Sequence, residues 1–384
     1  MQLVPLYLFL GISHIALTGV RVLVSLYALH LGASAGTVGV IISLFAIVSM
    51  SLGISIGRLI DRFGVLPIIL IGITSMTTGA ALGFLLPCIA TLFAVAVLTG
   101  TGHMMIQVSG QHAVGHLSTP ETRAINYGHL ASSYSVANFC GPMSAGFAIE
   151  AFGHGYTFAM FLGVTSLGIV LLAARTIRMP PPQHALAAPR SGSTFALLRD
   201  PGLKPLYVVG ILQAAAWDIY TFILPIRGTQ LGFSPSTIGI ILGVFSVATL
   251  VIRVFMPWLL RRWHEWKVLQ GVLFYAMLAY ILMPLIDQAW MYMLMSVMLG
   301  LAVGAGQPNI LALMHAAAPP GRGGEALGLR VACANTGQVL LPIGFGAASG
   351  ALGVAPLFWL FATILAFGTR TAKRRAARQP GRSA

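Results

Sequence analysis

The sequence is written twice. Residue n laid beside residue n + 200 sets Leu31-Gly32-Ala33-Ser34-Ala35-Gly36-Thr37-Val38-Gly39 on Leu231-Gly232-Phe233-Ser234-Pro235-Ser236-Thr237-Ile238-Gly239 without a gap. The same register pairs Leu6-Tyr7 with Leu206-Tyr207, Phe45 with Phe245, Gly100 with Gly300, Gln107 with Gln307, Pro142 with Pro342 and Phe158 with Phe358. From Leu31 to Phe45 seven of fifteen positions are identical, where an apolar-biased composition alone gives roughly two. A unit of about 180 residues has been duplicated, and both copies are held to one order of elements.

The medium in which those elements fold follows from polarity. Hydrophobic residues make up 57% of the chain and charged residues 8%, with a mean hydropathy of +0.88. A soluble globule could not cover its surface with so few polar groups. Apolar runs near 5–29, 37–57, 66–86, 90–113, 128–150, 156–175, 205–228, 236–258, 267–287, 289–313, 326–349 and 352–369 are each long enough to cross a hydrocarbon layer of roughly 30 Å. They lack period-two alternation and exceed barrel-strand length, and lipid demands that backbone groups be satisfied within each segment, so they read as helices. The expectation is an all-α membrane protein of twelve transmembrane helices in two pseudo-symmetric six-helix bundles. The first run has no basic flank and no small-residue cleavage site, and reads as a retained span.

Net charge of +14 invites a nucleic-acid reading, which its distribution excludes. Eighteen of the 22 Lys and Arg fall in alternate loops, the central linker and the tail, against Arg227 alone in the others, with Arg21, Arg253 and Arg330 inside spans. By the positive-inside rule both termini and the linker face the cytoplasm, and the imbalance of 19 Arg to 3 Lys is the association that points to a bacterial inner membrane. The expected divisions are an N-terminal bundle (1–176), a polar hinge rich in Pro and Ser (177–203), a C-terminal bundle (204–370) and a basic tail (371–384). Cys88, Cys140 and Cys333 stand in separate runs without metal spacing, and Met-rich stretches read as packing rather than copper ligands, so no metal is expected.

Between the second and third runs lies Gly57-Arg58-Leu59-Ile60-Asp61-Arg62-Phe63-Gly64, which resembles the G-x-L-a-D-R-x-G signature of the major facilitator superfamily. Twelve spans in a six-plus-six repeat strengthen the match, which extends to about residue 370. The resemblance implies a two-bundle transporter rocking about a central cavity, with Gly57, Arg58, Asp61, Arg62 and Gly64 forming a cytoplasmic latch. A purely topological turn is the alternative. Val65-Leu66-Pro67 replaces the basic residues that usually follow the signature, and Pro257 to Arg262 keeps only the positive charge in the second half. Gly141-Pro142 in the fifth run is similar to the Gly-Pro motif of antiporters in this superfamily, with helix packing as the alternative reading; the Arg that drug/proton antiporters carry before a glycine of the fourth helix has no counterpart.

Polar groups within the spans carry the candidate site, because a charge at a helix centre costs roughly 2.5–3.5 kcal/mol and needs a partner or water. His14, Thr18, Arg21 and Ser25 form one stripe on the first helix at i, i+4, i+7 and i+11. The repeat-related seventh helix carries Asp218 in register with Thr18, beside Gln213, Trp217, Tyr220 and Thr221. In the family's architecture the first, fourth, seventh and tenth helices line the cavity, so the expectation is that Asp218 and Arg21 approach one another and couple proton movement to transport; a static ion pair is the alternative. His103, Gln107 and Gln111 on the fourth helix, Gln307 on the tenth, Tyr134 and Asn138 on the fifth, and Asn335 and Gln338 on the eleventh extend the expected substrate site. Arg330 is placed structurally or with the gate.

The functional expectation is a secondary transporter that exports a small organic solute by alternating access, driven by protons and needing no cofactor. Its expected partners are a small-molecule substrate and the bilayer, without nucleic acid, in a monomer. Uptake of an anionic metabolite clamped by Arg21, and a non-transporting sensor on the same fold, are the rivals. An enzyme is not expected, since one mid-membrane carboxylate supplies no nucleophile, base or metal set, and no phosphate-binding loop occurs.

Overall fold

The structure is a computed structural model that describes residues 3–119, 122–173, 194–319 and 323–378; the side chains of 48–55, 57, 58, 61, 123, 124, 173, 194–196, 257, 315, 316, 323–325, 327, 328, 351 and 378 lie outside that description. Among the described residues the regular structure is entirely helical. The first half runs through α1 (Val4–His30), α2 (Ala35–Phe63), α3 (Val65–Leu85) and α4 (Ile89–His116) into the element Arg123–Ala173. Gly153, with φ of 79°, breaks that element into α5 (123–152) and α6 (154–173). The second half holds α7 (Lys204–Gln230), α8 (Pro235–Arg262), α9 (Glu265–Leu282), α10 (Ala289–Ala317), α11 (Gly323–Leu352) and α12 (Ala355–Arg378). Ten of these elements, Arg123–Ala173 counted once, are long and apolar enough to cross a membrane, and α2 with the division at Gly153 brings the helices to the twelve expected.

The duplication is repeated in the hydrogen bonds. At the end of α1, Gly32 takes φ of 81°, and the chain closes with Gly32 N–H on the Leu29 carbonyl (3.0 Å) and Ala33 N–H on the Ala28 carbonyl (2.9 Å). This paired closure needs a left-handed residue, which glycine adopts without steric penalty. Ser34 then caps α2 by accepting from Thr37 N–H at 3.1 Å. Two hundred residues on, Gly232 has φ of 75°, Gly232 N–H and Phe233 N–H bond the Thr229 and Gly228 carbonyls, and Ser234 accepts from Thr237 N–H at 3.3 Å. Gly153 and Gly353 share φ of 79°. The halves part company at the second turn. Gly64 has φ of 83°, whereas His264 caps α9 through Nδ1, accepting from Trp266 N–H at 3.3 Å.

Two compact units result, Met1–Ala188 with Pro225–Gly243, and Pro189–Leu224 with Val244–Ala384. The turn between α7 and α8 thus groups with the first unit, a division that the expected boundaries (1–176 and 204–370) do not contain. Within the first unit α1 packs on α4 and on the Arg123–Ala173 element, and α3 and α2 pack on α4; within the second, α9 packs on α10 and α12. The α1–α5 seam is built from small residues. Ser133 Oγ donates to the Tyr7 carbonyl at 2.8 Å, Thr18 Oγ1 to the Ala137 carbonyl at 3.2 Å, and at Gly19 and Gly141 the two backbones meet. In lipid, close backbone approach and hydroxyl bonds of this kind hold helices together.

The last helix runs into the segment expected as a tail, while α7 begins at Lys204, where the expected hinge ends. The tail predicted from 371 is helical as far as Arg378, with Ala372 fully buried and Arg375 Nη2 donating to the Pro201 carbonyl at 2.6 Å. Arg and Lys are good helix formers, so α12 continues into its charged end. Of the hinge 177–203, the part through 193 lies outside the described residues; Thr194–Arg199 forms a 3-10 turn, and Asp200 Oδ1 accepts from Gly202 and Leu203 N–H at 2.8 and 3.0 Å.

Candidate functional site

In the first unit the polar residues of α1, α4 and α5 converge on one buried cluster. His14 Nδ1 lies 3.1 Å from His103 Nε2, and His14 Nε2 lies 3.3 Å from Asn138 Oδ1. The Tyr134 ring packs 4.8 Å from that of His14, and its hydroxyl, like His103 Nδ1, has no hydrogen-bond partner among the described residues. The seam places these groups. With Gly19 against Gly141, α1 is rotated so that His14 faces α4 and α5, while Thr18, one turn on, bonds the α5 backbone. Ser25 Oγ bonds its own helix at the Arg21 carbonyl (2.9 Å). The stripe on α1 therefore divides between His14 in the cluster, Thr18 in the seam and a half-buried Arg21. Gln107 is half-buried on α4, and Gln111 is exposed, its carbonyl accepting from the Tyr127 hydroxyl at 3.0 Å.

The second unit buries a carboxylate. Asp218 on α7 is 3% exposed and Gln213 6%. Gln213 Nε2 donates to the Val303 carbonyl of α10 at 3.0 Å, and the Tyr220 hydroxyl is hydrogen-bonded to Ser296. The rings of Trp217 and Tyr220 pack on Phe245 at 4.7 and 4.8 Å, and the Tyr280 hydroxyl donates to the Ala216 carbonyl at 2.7 Å. Aromatic packing and hydroxyl bonds thus fix α7 on both sides of Asp218. Arg253 Nη2 donates to Gln307 Oε1 at 3.2 Å, a pairing that sequence reasoning missed, as it missed Ser296. Arg253 and Gln307 lie 54 positions apart on α8 and α10, and only the repeat, by pointing at Gln307, marked the neighbourhood. Asn335 and Gln338 are half-buried on α11. Arg330 is 8% exposed, its Nε without a partner among the described residues, and its stem lies over Gly210 of α7.

Of the signature between α2 and α3, the side chains of Gly57, Arg58 and Asp61 lie outside the described residues. Gly64 supplies the left-handed turn, its N–H bonding the Ile60 carbonyl at 2.8 Å, and the Arg62 guanidinium sits 5.1 Å from the centre of the Phe63 ring. Pro142 stands inside α5 beside the seam glycine Gly141. One turn of α8 packs onto the same stretch, where Gly239 faces the Pro142 carbonyl and Gly243 the Met143 side chain. Farther along α5, Glu150 Oε2 accepts from Ser236 N–H at 3.2 Å, a carboxylate at the positive end of α8.

The sequence profile of the Major Facilitator Superfamily matches residues 6–289 and again 206–381. This chain belongs to the major facilitator superfamily. Its two overlapping matches are what a duplicated half produces. Among characterised members, the efflux pump azaK of Aspergillus niger is 26% identical over 255 residues, covering 62% of this chain and 54% of the pump, so the chain spans about half of that relative. The class C tetracycline resistance protein of Escherichia coli is 23% identical over 326 residues, 82% of this chain and 80% of that protein. In three dimensions the fold matches a bacterial homologue of the human lysosomal transporter Spinster in an inward-facing, unoccupied conformation, with a TM-score of 0.79 at 16% identity, over 100% of this chain and 98% of that one. The chain is a multi-pass membrane protein of this superfamily, and its relatives and structural neighbours are transporters rather than enzymes.

Proposed function

We propose that the protein exports a small organic solute from a bacterial cell by alternating access, drawing on the proton gradient, with both termini in the cytoplasm. The observation that carries this reading is Asp218, a carboxylate 3% exposed in the middle of α7. A membrane-buried carboxylate is expensive to keep charged, and a group that binds and releases a proton during transport resolves that expense. Export is supported by relatives named as an efflux pump and as tetracycline resistance proteins. Asp218 is the proton carrier in this scheme. Arg21, His14, Gln107, Tyr134, Asn138, Gln213, Trp217 and Gln307 offer cation, amide and aromatic contacts for the solute, while Gly57, Arg58, Asp61 and Arg62 form the cytoplasmic latch.

The test is accumulation of a panel of dyes, antibiotics and labelled metabolites in efflux-deficient cells carrying wild type or Asp218→Asn, with and without a protonophore. Lower accumulation in wild type that disappears in both controls is the expected result. Export that survives in Asp218→Asn refutes the coupling role. Higher accumulation of an anionic solute in wild type refutes export and makes Arg21→Gln the next variant.

A further inference from the structure

We propose that His14 and His103 form a second proton-binding site inside the first unit, a hydrogen-bonded imidazole pair that takes up one proton and shares it. The inference rests on the reading of a proton-driven cycle, but it concerns different residues and a different helix group from Asp218.

The hydrogen bonds dictate the ground state. Asn138 Oδ1 accepts, so His14 Nε2 carries a hydrogen and donates to it. Neutral His14 then has its lone pair at Nδ1, and the 3.1 Å contact requires His103 Nε2 to donate there. Neutral His103 is left with its lone pair at Nδ1, a buried atom with no hydrogen-bond partner among the described residues. Three of the four ring nitrogens are occupied, and the fourth is a basic site. A proton arriving at His103 Nδ1 makes His103 an imidazolium, and the existing Nε2–H···Nδ1 contact becomes charge-assisted, a type of bond roughly twice as strong as a neutral one. No bond other than N–H forms or breaks. The proton comes from water admitted on one side and returns to water on the other.

A helix clamp alone does not call for two histidines. In the repeat, position 214 is Ala and position 303 is Val, and the same pair of helices, α7 and α10, is joined by Gln213 Nε2 donating to the Val303 carbonyl. That bond holds two helices without a titratable group. The first half has replaced it with one that titrates. Among groups facing the pair, Tyr134 of α5 packs on His14, and Arg21 lies on α1 two turns, about 10 Å, farther along. α3 has no titratable side chain, α2 carries its charges only in its last two turns, α6 has His154 and Tyr156 at its far end, and α4 holds His112 and His116 more than two turns away. Among the described residues of the first unit the one acid, Glu150, is engaged with Ser236 N–H, so the hydrogen bond between the rings is what stabilises an added proton there.

The test is nitrogen NMR of the full chain labelled with ring-15N histidine in lipid nanodiscs, titrated across the folded pH range in wild type, His14→Gln, His103→Gln and Asp218→Asn. The expected wild-type result is an N–H···N coupling between the two rings at high pH and a single step, worth one proton per chain, in which both rings shift together. Either histidine variant abolishes the coupling and the joint step, and Asp218→Asn retains both. Rings that stay neutral throughout, rings that titrate independently, or a step lost in Asp218→Asn would each overturn the proposal. If a histidine variant does not fold, the wild-type coupling and joint shift decide alone. Failure here leaves the accumulation assay on Asp218 untouched, and failure there leaves this titration readable.

Discussion

Gly141→Ala tests whether the Gly-Pro step of α5 is a packing surface. A Cβ added at Gly141 would stand 2.8 Å from the Ile15 carbonyl oxygen and 2.9 Å from Gly19 N, and would also strike Thr18 Oγ1. Two of these obstacles are backbone and cannot rotate away. Ordinary contact begins near 3.4 Å, so α1 and α5 must separate by about 0.6 Å, enough to stretch the Thr18 to Ala137 bond from 3.2 Å beyond useful length. Overpacking of this kind costs about 1–3 kcal/mol. For a unit of this size each kcal/mol moves the melting point by about 2–4 °C, so thermal unfolding in detergent should fall by about 2–12 °C. Gly163→Ala is the matched control: the same methyl on α6 meets nothing within 4 Å, and replacing a helical glycine gains about 0.5–1 kcal/mol, so that melting point should hold or rise. A Gly141→Ala protein that melts within a degree of wild type refutes the packing reading and returns Gly141 to a purely conformational role.

Gly100→Ala and Gly300→Ala should both lower thermal stability, because each Cβ would meet the backbone of the preceding even-numbered helix, at Phe45 and Phe245; a melting curve unchanged for either one breaks the structural equivalence of the halves. Ser34→Ala removes the α2 cap that accepts from Thr37 N–H and should cost about 0.5–2 kcal/mol, read as a lower denaturation midpoint, with Ser34→Asp restoring it. Green fluorescent protein fused after residue 384 should fluoresce and alkaline phosphatase there should be inactive, as a cytoplasmic C-terminus requires; the opposite pattern reverses the proposed orientation.

The spans were legible because lipid removes alternatives. A run of about twenty apolar residues has to be a helix, and the 200-residue register fixed how many there were. The end of α12 was not legible, since Lys373, Arg374 and Arg375 read equally as a solvated tail or a charged helix end, and only a contact with Pro201 selects between them. The site divides in the same way. Spacing on α1 put His14, Thr18 and Arg21 on one stripe, but what each touches depends on the rotation of the helix. That rotation is set by Gly19 against Gly141, a contact 122 positions apart that no period announces. Gln307 stood out by its register with Gln107, yet its partner Arg253 comes from a neighbouring helix whose facing side has no signature of its own.

The duplication also separates scaffold from function. Where the halves agree in residue and geometry, at Gly32 and Gly232, Gly100 and Gly300, or Gly153 and Gly353, the residue makes a turn or a close approach that any six-helix bundle of this design needs. Where they disagree inside the membrane, the same backbone position carries different chemistry: His14 against Ala214, Thr18 against Asp218, Arg21 against Thr221, His103 against Val303. Each of those differences adds a titratable or charged group on one side only. Packing alone gives no reason for that, since the other half folds the equivalent helices without it, and an ionisable side chain in lipid is costly wherever it stands. The groups that break the repeat are therefore the ones on which the proposed proton and solute roles rest. The two halves carry them in different forms, an imidazole pair bonded across α1 and α4 in one, and a buried carboxylate framed by aromatic rings on α7 in the other.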